Sequence, residues 1–146
     1  MSNFEMEINS TNEHSQIEEC YPFSQLLKKE IKSSDVLKNL KAHYSFFSEP
    51  LDFLVSVTEQ PEALIYQDKK RYLVSDLIRE GVNLTRISLH PFNAPKTEAA
   101  ILAWKYVFLS SCLGNNAIVE QLAENKVNFP SEYLSSKNHQ DAWQRL

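Results

Sequence analysis

The side chains that most often bind metals or act as nucleophiles are sparse in this chain of 146 residues. The histidines are His14, His43, His90 and His139, and the cysteines are Cys20 and Cys112. No HxxxH, HExxH or CxxC spacing joins them, and the chain contains no GxSxG turn for a nucleophilic serine. We therefore expect these side chains to be structural or superficial, with Cys112 packed in an apolar helix, and we predict a protein that is not an enzyme and holds no metal or cofactor.

A modest excess of positive charge lies between residues 21 and 48. Five lysines oppose Glu30 and Asp35 there, which gives a net charge of +3. The lysines are Lys28, Lys29, Lys32, Lys38 and Lys41. Such a cluster can contact DNA or an acidic partner, although a solvated helix face is the simpler interpretation.

A second candidate for DNA contact lies in residues 115–140, which have the rhythm of a helix-turn-helix. Asn115, Asn116 and Lys126 are the side chains that would reach a groove or a partner. The charge opposes this function, because Gly114 to Leu146 carry a net charge of −1, whereas phosphate contacts supply much of the affinity for DNA. A plain helical hairpin is the alternative interpretation.

The net charge of −4 is concentrated at the N-terminus. Residues 1–20 contain five glutamates and no lysine or arginine, so the remaining residues carry a net charge of +1. This polar stretch has too little apolar surface to offset the entropy of ordering, and we predict a disordered acidic tail over 1–20 and one domain over 21–146. No signal-like segment opens the chain and no apolar run reaches the roughly 20 residues of a membrane helix, so a cytoplasmic protein without membrane contact is expected.

The elements that would position any site are predicted to be mixed. Ser34 is expected to cap a helix with an apolar stripe through Leu40 and Phe47, and Pro50 is expected near the start of a third, short helix. In "ALIYQDKKRYLV" two apolar runs flank a polar gap of turn length, which predicts a pair of strands. Ser75 or Asp76 could then cap a short helix, "LIRE", that Gly81 ends, and "RISLHPF" has the alternation of a half-buried strand.

The last third of the domain, from about residue 97, is predicted to be helical. Thr97 is the candidate cap and Gly114 the candidate end of a central helix, with one stripe formed by Ile101, Trp104, Phe108 and Cys112. Asn115 or Asn116 is expected to cap a second helix, and Ser131 to begin a third.

The order "LKNL…SFFSEPL…PEALIYQDKKRYLVSDLIRE…RISLHPF…TEAAILAWKYVF" resembles the ParB and sulfiredoxin-like module over about residues 35–110. The resemblance implies a small sheet with packed helices, and a turn after the second strand that holds nucleotide phosphates at a helix N-terminus. The matching turn here is "VSDLIR", in which Asp76 replaces the family's glycine and only Arg79 remains of its arginines. A carboxylate repels phosphate, so the resemblance implies a ligand turn that has degenerated.

The sequence thus predicts an α+β protein that binds a macromolecule without catalysis. Contacts with a protein partner are the preferred mode, and the resemblance implies a role in partition, conjugative transfer or transcriptional control. Two alternatives stay open: a DNA-binding regulator that uses residues 115–140, and a nucleotide-binding or nucleotide-cleaving enzyme.

Overall fold

The computed structural model describes residues 31–136 together with Ala142 and Leu146. Within these residues every regular element is helical. The helices are α1 (Ser33–Val57), α2 (Ala63–Arg79), α3 (Glu98–Leu113), α4 (Asn115–Glu124) and the single turn α5 (Glu132–Ser135), with a 3-10 turn at Leu84–Arg86. The predicted α+β fold with a small sheet is therefore wrong.

The longest element, α1, runs through Pro50 instead of ending before it. A proline inside a helix removes one backbone hydrogen bond and pushes against the carbonyl of the preceding turn, at a cost of about 3 kcal/mol. One residue before the Phe46 carbonyl, which is the one that Pro50 cannot bond, α1 contacts residues 88–90: the Ser45 carbonyl accepts a hydrogen bond from the His90 amide (2.9 Å), and the Ser45 hydroxyl donates to the Ser88 carbonyl (2.5 Å). Pro50 itself is buried, so packing favours the continuous helix.

Helix α1 begins two residues earlier than predicted, because its N-cap is residue 32 and not residue 34. Lys32 occupies the N-cap position, and its amide donates to the Asp35 carboxylate over 3.0 Å, so Ser34 lies inside the helix and does not cap it.

Residues 63–79, where two strands and a separate short helix were predicted, form the one helix α2. The positions that α2 buries follow a helical period: Ala63, Tyr66, Lys69, Leu73, Asp76 and Leu77. Two of these buried residues are charged. The apolar pattern of the sequence is therefore interrupted at positions where the buried face of the helix continues. Gly81 follows the helix with φ +78°, a conformation that favours glycine, and the prediction that it ends this helix is confirmed.

The predicted strand "RISLHPF" has no strand pairing in the described structure: Arg86 ends the 3-10 turn, and residues 88–92 have no regular secondary structure. It crosses α1 through the two hydrogen bonds at Ser45. Its Phe92 ring lies 5.3 Å from the Trp104 ring of α3, centroid to centroid. The segment therefore connects α1 and α3 by side-chain packing.

The C-terminal helices agree more closely with the predictions made from the sequence. Thr97 caps α3 by accepting from the Ala100 amide, Gly114 ends it, and the Ser131 hydroxyl caps α5 by accepting from the Leu134 amide, as predicted. Asn115 and Asn116 do not cap α4, whose N-cap residue is Gly114. Asn115 is instead buried.

Two apolar clusters hold the helices together along the α1/α2 hairpin. The first surrounds Leu40, Leu73 and Leu77 and receives Ile118 of α4 and Leu134 of α5. The second surrounds Phe47, Leu51 and Tyr66 and receives Phe108, Leu109 and Cys112 of α3. Between the two clusters along α1 and α2 lie buried polar residues, namely His43 and Lys69.

Candidate functional site

The buried polar residues form a connected group around Tyr133, which we call the polar layer: His43, Lys69, Cys112, Asn115 and Tyr133. The Tyr133 hydroxyl lies 2.9 Å from Nδ1 of His43. The backbone carbonyl of Tyr133 accepts hydrogen bonds from Nζ of Lys69 (3.1 Å) and from the side-chain amide of Asn115 (3.4 Å). Nζ of Lys69 also lies 5.5 Å from the centre of the Tyr133 ring and donates to the Ser136 hydroxyl over 2.9 Å.

Burial shifts the protonation equilibria of this layer toward the neutral forms. Burial, with the nearby charge of Lys69, lowers the pKa of His43 to about 4. Burial raises the pKa of the Cys112 thiol to about 11 and the pKa of Tyr133 well above its usual value, and it lowers the pKa of Lys69. At neutral pH the thiol and the phenol therefore keep their protons, so Cys112 is not activated as a nucleophile.

The polar layer lies inside the protein and is not accessible to solvent. Lys69 is 1% exposed, and Tyr133 and Cys112 are fully buried. The hydrogen bonds of Lys69 and Asn115 to the Tyr133 carbonyl fasten α5 to α2 and α4. Its geometry supports a structural role.

Asp76, expected at a degenerate ligand turn, performs a different task. Its fully buried carboxylate accepts hydrogen bonds from the Ser131 hydroxyl (2.6 Å) and from the amides of Glu132 and Tyr133 (3.1 Å each). A carboxylate at this position satisfies the free amides at the N-terminus of α5 and interacts favourably with its dipole. Asp76 thus caps a helix that follows it by 55 residues.

Arg79 belongs to the same arrangement. Its guanidinium pairs with the Asp76 carboxylate at 3.2 Å and donates to the Pro130 carbonyl. Both residues of the presumed ligand turn therefore hold residues 130–133 in place, and neither is oriented toward a phosphate.

The lysines predicted to contact DNA or a partner are exposed wherever the structure describes them. Lys32, Lys38, Lys41 and Lys126 are exposed, whereas Lys28 and Lys29 lie outside the described residues. Lys41 and Arg86 line an open groove of about 660 Å³ between α1 and the turn after α2, with Glu80 beside them. The opposite charges in this groove make it a weak site for an anion.

The residues of the predicted helix-turn-helix are also divided. Asn116 is exposed, but Asn115 belongs to the polar layer. The segment after α4 that would enter a groove contains the four-residue helix α5, in which Tyr133 and Leu134 are buried. Helix α5 therefore offers no exposed recognition face of useful length.

One apolar surface of the described structure was not predicted from the sequence; we call it the α3 face, and it consists of Ala99, Leu102, Ala103, Tyr106, Val107 and Ser110. These residues share one side of α3 because successive residues of an α-helix are rotated by about 100°. Leu102 and Val107 are each 45% exposed and Tyr106 is 50% exposed. The face contains no charged side chain.

The opposite side of α3 packs as the sequence predicted. Phe108 and Cys112 are buried, whereas Ile101 and Trp104 are partly buried, and Leu109 joins them in the core. The helix is thus apolar on its outer as well as its inner side. The absence of charged residues from the outer face of α3 is visible in the sequence and was the available signal for this surface. The sequence-based prediction placed the helix at the centre of the domain and assigned no role to its outer face.

Among residues 31–136, no helix is long and apolar enough to cross a bilayer. The same part of the chain has no cluster of histidine, cysteine, aspartate or glutamate suited to a metal ion. Comparisons with protein-family models, with curated proteins and with solved structures find no match for this chain.

Proposed function

We propose that this chain is a cytoplasmic accessory or regulatory protein that acts without catalysis, through protein contacts made by the α3 face. The observation that carries the proposal is the exposure of Leu102 and Val107 on an uncharged helix side. Contiguous exposed apolar surface on a folded protein is typical of a contact site, because leaving it in water is unfavourable by roughly 25 cal/mol per Å².

The interior supports the same function. The nucleophilic and titratable groups in the polar layer are buried and hydrogen-bonded, and the Asp76–Arg79 pair is used to hold α5. The sheet that the ParB resemblance implies does not occur in the described structure. The proposal accordingly rests on the surface of the helical fold and not on that family.

A charge placed on the α3 face tests the proposal. We expect Leu102→Glu to abolish co-purification of protein partners, including further copies of the chain, from cells that express the tagged protein. The matched control is Ile78→Glu, because Ile78 is also an exposed apolar residue in a helix, 59% exposed on α2. Equal partner recovery from the wild type, Leu102→Glu and Ile78→Glu would refute a role for the α3 face.

Two further outcomes concern the alternatives left open by the sequence. Salt-sensitive DNA retardation that Lys38→Ala and Lys41→Ala weaken would favour a DNA-binding regulator. Micromolar binding of CTP or ATP would favour a nucleotide-dependent enzyme, and Arg79→Ala would then show whether its guanidinium is involved.

A further inference from the structure

The groove of about 660 Å³ between α1 and the residues after α2, which we call the α1 groove, has an apolar floor and a charged rim. Leu37, Val82 and Ile87 line its floor and also pack against the first apolar cluster. Its rim carries the exposed cations Lys41 and Arg86. In the described part of the chain, no hydrogen bond or ion pair engages either cationic group. The groove can therefore accept a group that is both apolar and acidic.

We propose that the α1 groove binds an extended segment of the same chain, "FEMEI", in which apolar residues alternate with two glutamates. The segment consists of Phe4, Glu5, Met6, Glu7 and Ile8. Successive side chains of an extended backbone point to opposite sides. The three apolar side chains can therefore face the floor of the groove together, while both carboxylates face outward. The long side chains of Lys41 and Arg86 can reach the carboxylates there.

Charge complementarity favours this occupant. Residues 1–20 contain five glutamates and no lysine or arginine. The groove has two cations against the single carboxylate of Glu80, and the exposed Lys38 lies about one turn of α1 before Lys41. A small anion gains little here because Glu80 opposes it. A segment that also buries apolar side chains on the floor gains from both kinds of contact.

The point at which the chain enters the described structure favours its own segment over that of another protein. Ile31, the first described residue, is buried in the apolar cluster against which the floor of the groove packs. The 22 residues 9–30 connect Ile31 to the segment, and a chain of that length spans at most about 75 Å. This reach is twice the length of α1, which is about 37 Å. Such a tether makes the contact intramolecular, for which an effective concentration of about 1 mM is typical.

The contact would make the segment an internal competitor for the α1 groove. Any other protein segment that binds there must displace residues 4–8 first. The groove is open and its cations remain in water, where ion pairs contribute little. We therefore expect a reversible contact that weakens at high salt and on which folding does not depend.

A nitroxide label at residue 2 tests the contact in the full-length chain by NMR. The labelled chain carries Ser2→Cys and Cys20→Ser, and the remaining Cys112 is buried. We expect the label to broaden the amide signals of Gly81 and Val82, which line the groove, at least about twofold more than amide signals in the first turn of α2. That turn is the matched reference, because it lies at the other end of a helix about 26 Å long.

Charge exchange tests which groups make the contact. Glu5→Lys/Glu7→Lys should reduce the excess broadening of the groove amides at least about twofold, and Arg86→Glu should reduce it from the other side of the contact. Combining Glu5→Lys/Glu7→Lys with Lys41→Glu/Arg86→Glu places opposite charges together again and should restore the excess. The matched control is Arg71→Glu, which changes an exposed arginine of α2 outside the groove and should have no effect.

Circular dichroism shows whether each variant is folded, and Glu5→Lys/Glu7→Lys keeps the test valid if Arg86→Glu does not fold. Equal broadening of the groove amides and the reference amides would overturn the proposal. An excess that neither charge exchange reduces, or that the combined variant does not restore, would overturn the pairing of these charges. Broadening in a mixture of labelled chain and isotope-enriched unlabelled chain would show binding between copies and would overturn the intramolecular contact.

Discussion

At the scale of single residues, Asp76 illustrates how a buried carboxylate can be a structural centre. Its carboxylate accepts hydrogen bonds from Ser131, Glu132 and Tyr133, and 3.2 Å separates its Oδ1 from Nη2 of Arg79. The chain has a matched exposed pair in the same helix, Asp68 and Arg71, also 3.2 Å apart and three residues apart in sequence. The two pairs separate the effect of burial from the effect of spacing.

We expect Asp76→Ala to lower the free energy of unfolding by about 3–5 kcal/mol, because it leaves buried donors of α5 without an acceptor. Asp68→Ala should cost less than about 1 kcal/mol, since exposed ion pairs contribute little. Urea unfolding followed by circular dichroism measures both variants. Equal losses would show that Asp76 does not hold α5.

His43 links the polar layer to pH. Burial lowers its pKa in the folded protein to about 4, below the 6.5 of an exposed histidine. The unfolded chain therefore binds a proton at higher pH than the folded protein does. The stability associated with neutral His43 is fully present above pH 6.5 and is lost as the pH falls toward 4.

The difference in the pKa of His43 between the folded and the unfolded protein corresponds to a loss of about 2 kcal/mol in the free energy of unfolding when the pH falls from 7 to 5. We expect His43→Gln to remove most of that dependence, whereas His90→Gln, at an exposed position, should retain it. Urea titrations at pH 7 and pH 5 provide the comparison. A pH dependence that survives His43→Gln unchanged would assign it to other groups.

At the scale of elements, the sequence predicts a helix well where its signals are local. Thr97 and Gly114 bound α3 as expected, and the Phe108 and Cys112 stripe faces the core. It fails for α2 because Lys69 and Asp76 occupy buried positions, and the partners that satisfy them lie at residues 131–136. The role of Asp76 as a cap depends on that distant contact, which no local pattern predicts.

The continuity of α2 can be tested at Gln67, an exposed position in the "QDKK" stretch that was predicted to be a turn. Glycine suits a turn, but inside a helix it is about 1 kcal/mol less favourable than alanine. We expect Gln67→Gly to be about 1 kcal/mol less stable than Gln67→Ala in urea unfolding. A glycine variant as stable as the alanine variant would indicate a turn at this position.

The two sides of α3 should respond differently to truncation. Phe108 is fully buried against Phe47, with ring centroids 5.1 Å apart, and we expect Phe108→Ala to cost about 3–5 kcal/mol. The adjacent Val107→Ala should change the free energy of unfolding by less than about 0.5 kcal/mol, because Val107 is 45% exposed. Thermal unfolding of both variants gives the comparison. A large loss for Val107→Ala would show that this side of α3 packs within one chain.

At the scale of the whole molecule, the fold leaves α3 with two apolar sides and one helical hairpin to pack against. The α1/α2 hairpin receives α4 and α5 at one apolar cluster and the inner side of α3 at the other. The polar layer between the clusters fixes α5 by hydrogen bonds and contributes no exposed apolar surface. The outer side of α3 is therefore the part of this arrangement best suited to contact another protein.

The acidic N-terminal segment lies outside the described residues, and its expected independence from the fold is a prediction about the whole chain. Residues 1–19 carry all five glutamates of the tail and few apolar groups, and without them the net charge changes from −4 to +1. We expect a chain that begins at Cys20 to melt within about 5 °C of the full chain, which for a protein of this size corresponds to roughly 1 kcal/mol. Differential scanning calorimetry at two salt concentrations measures the shift and screens charge effects. A larger decrease in Tm that persists at high salt would mean that the segment packs on the helical body through apolar contacts.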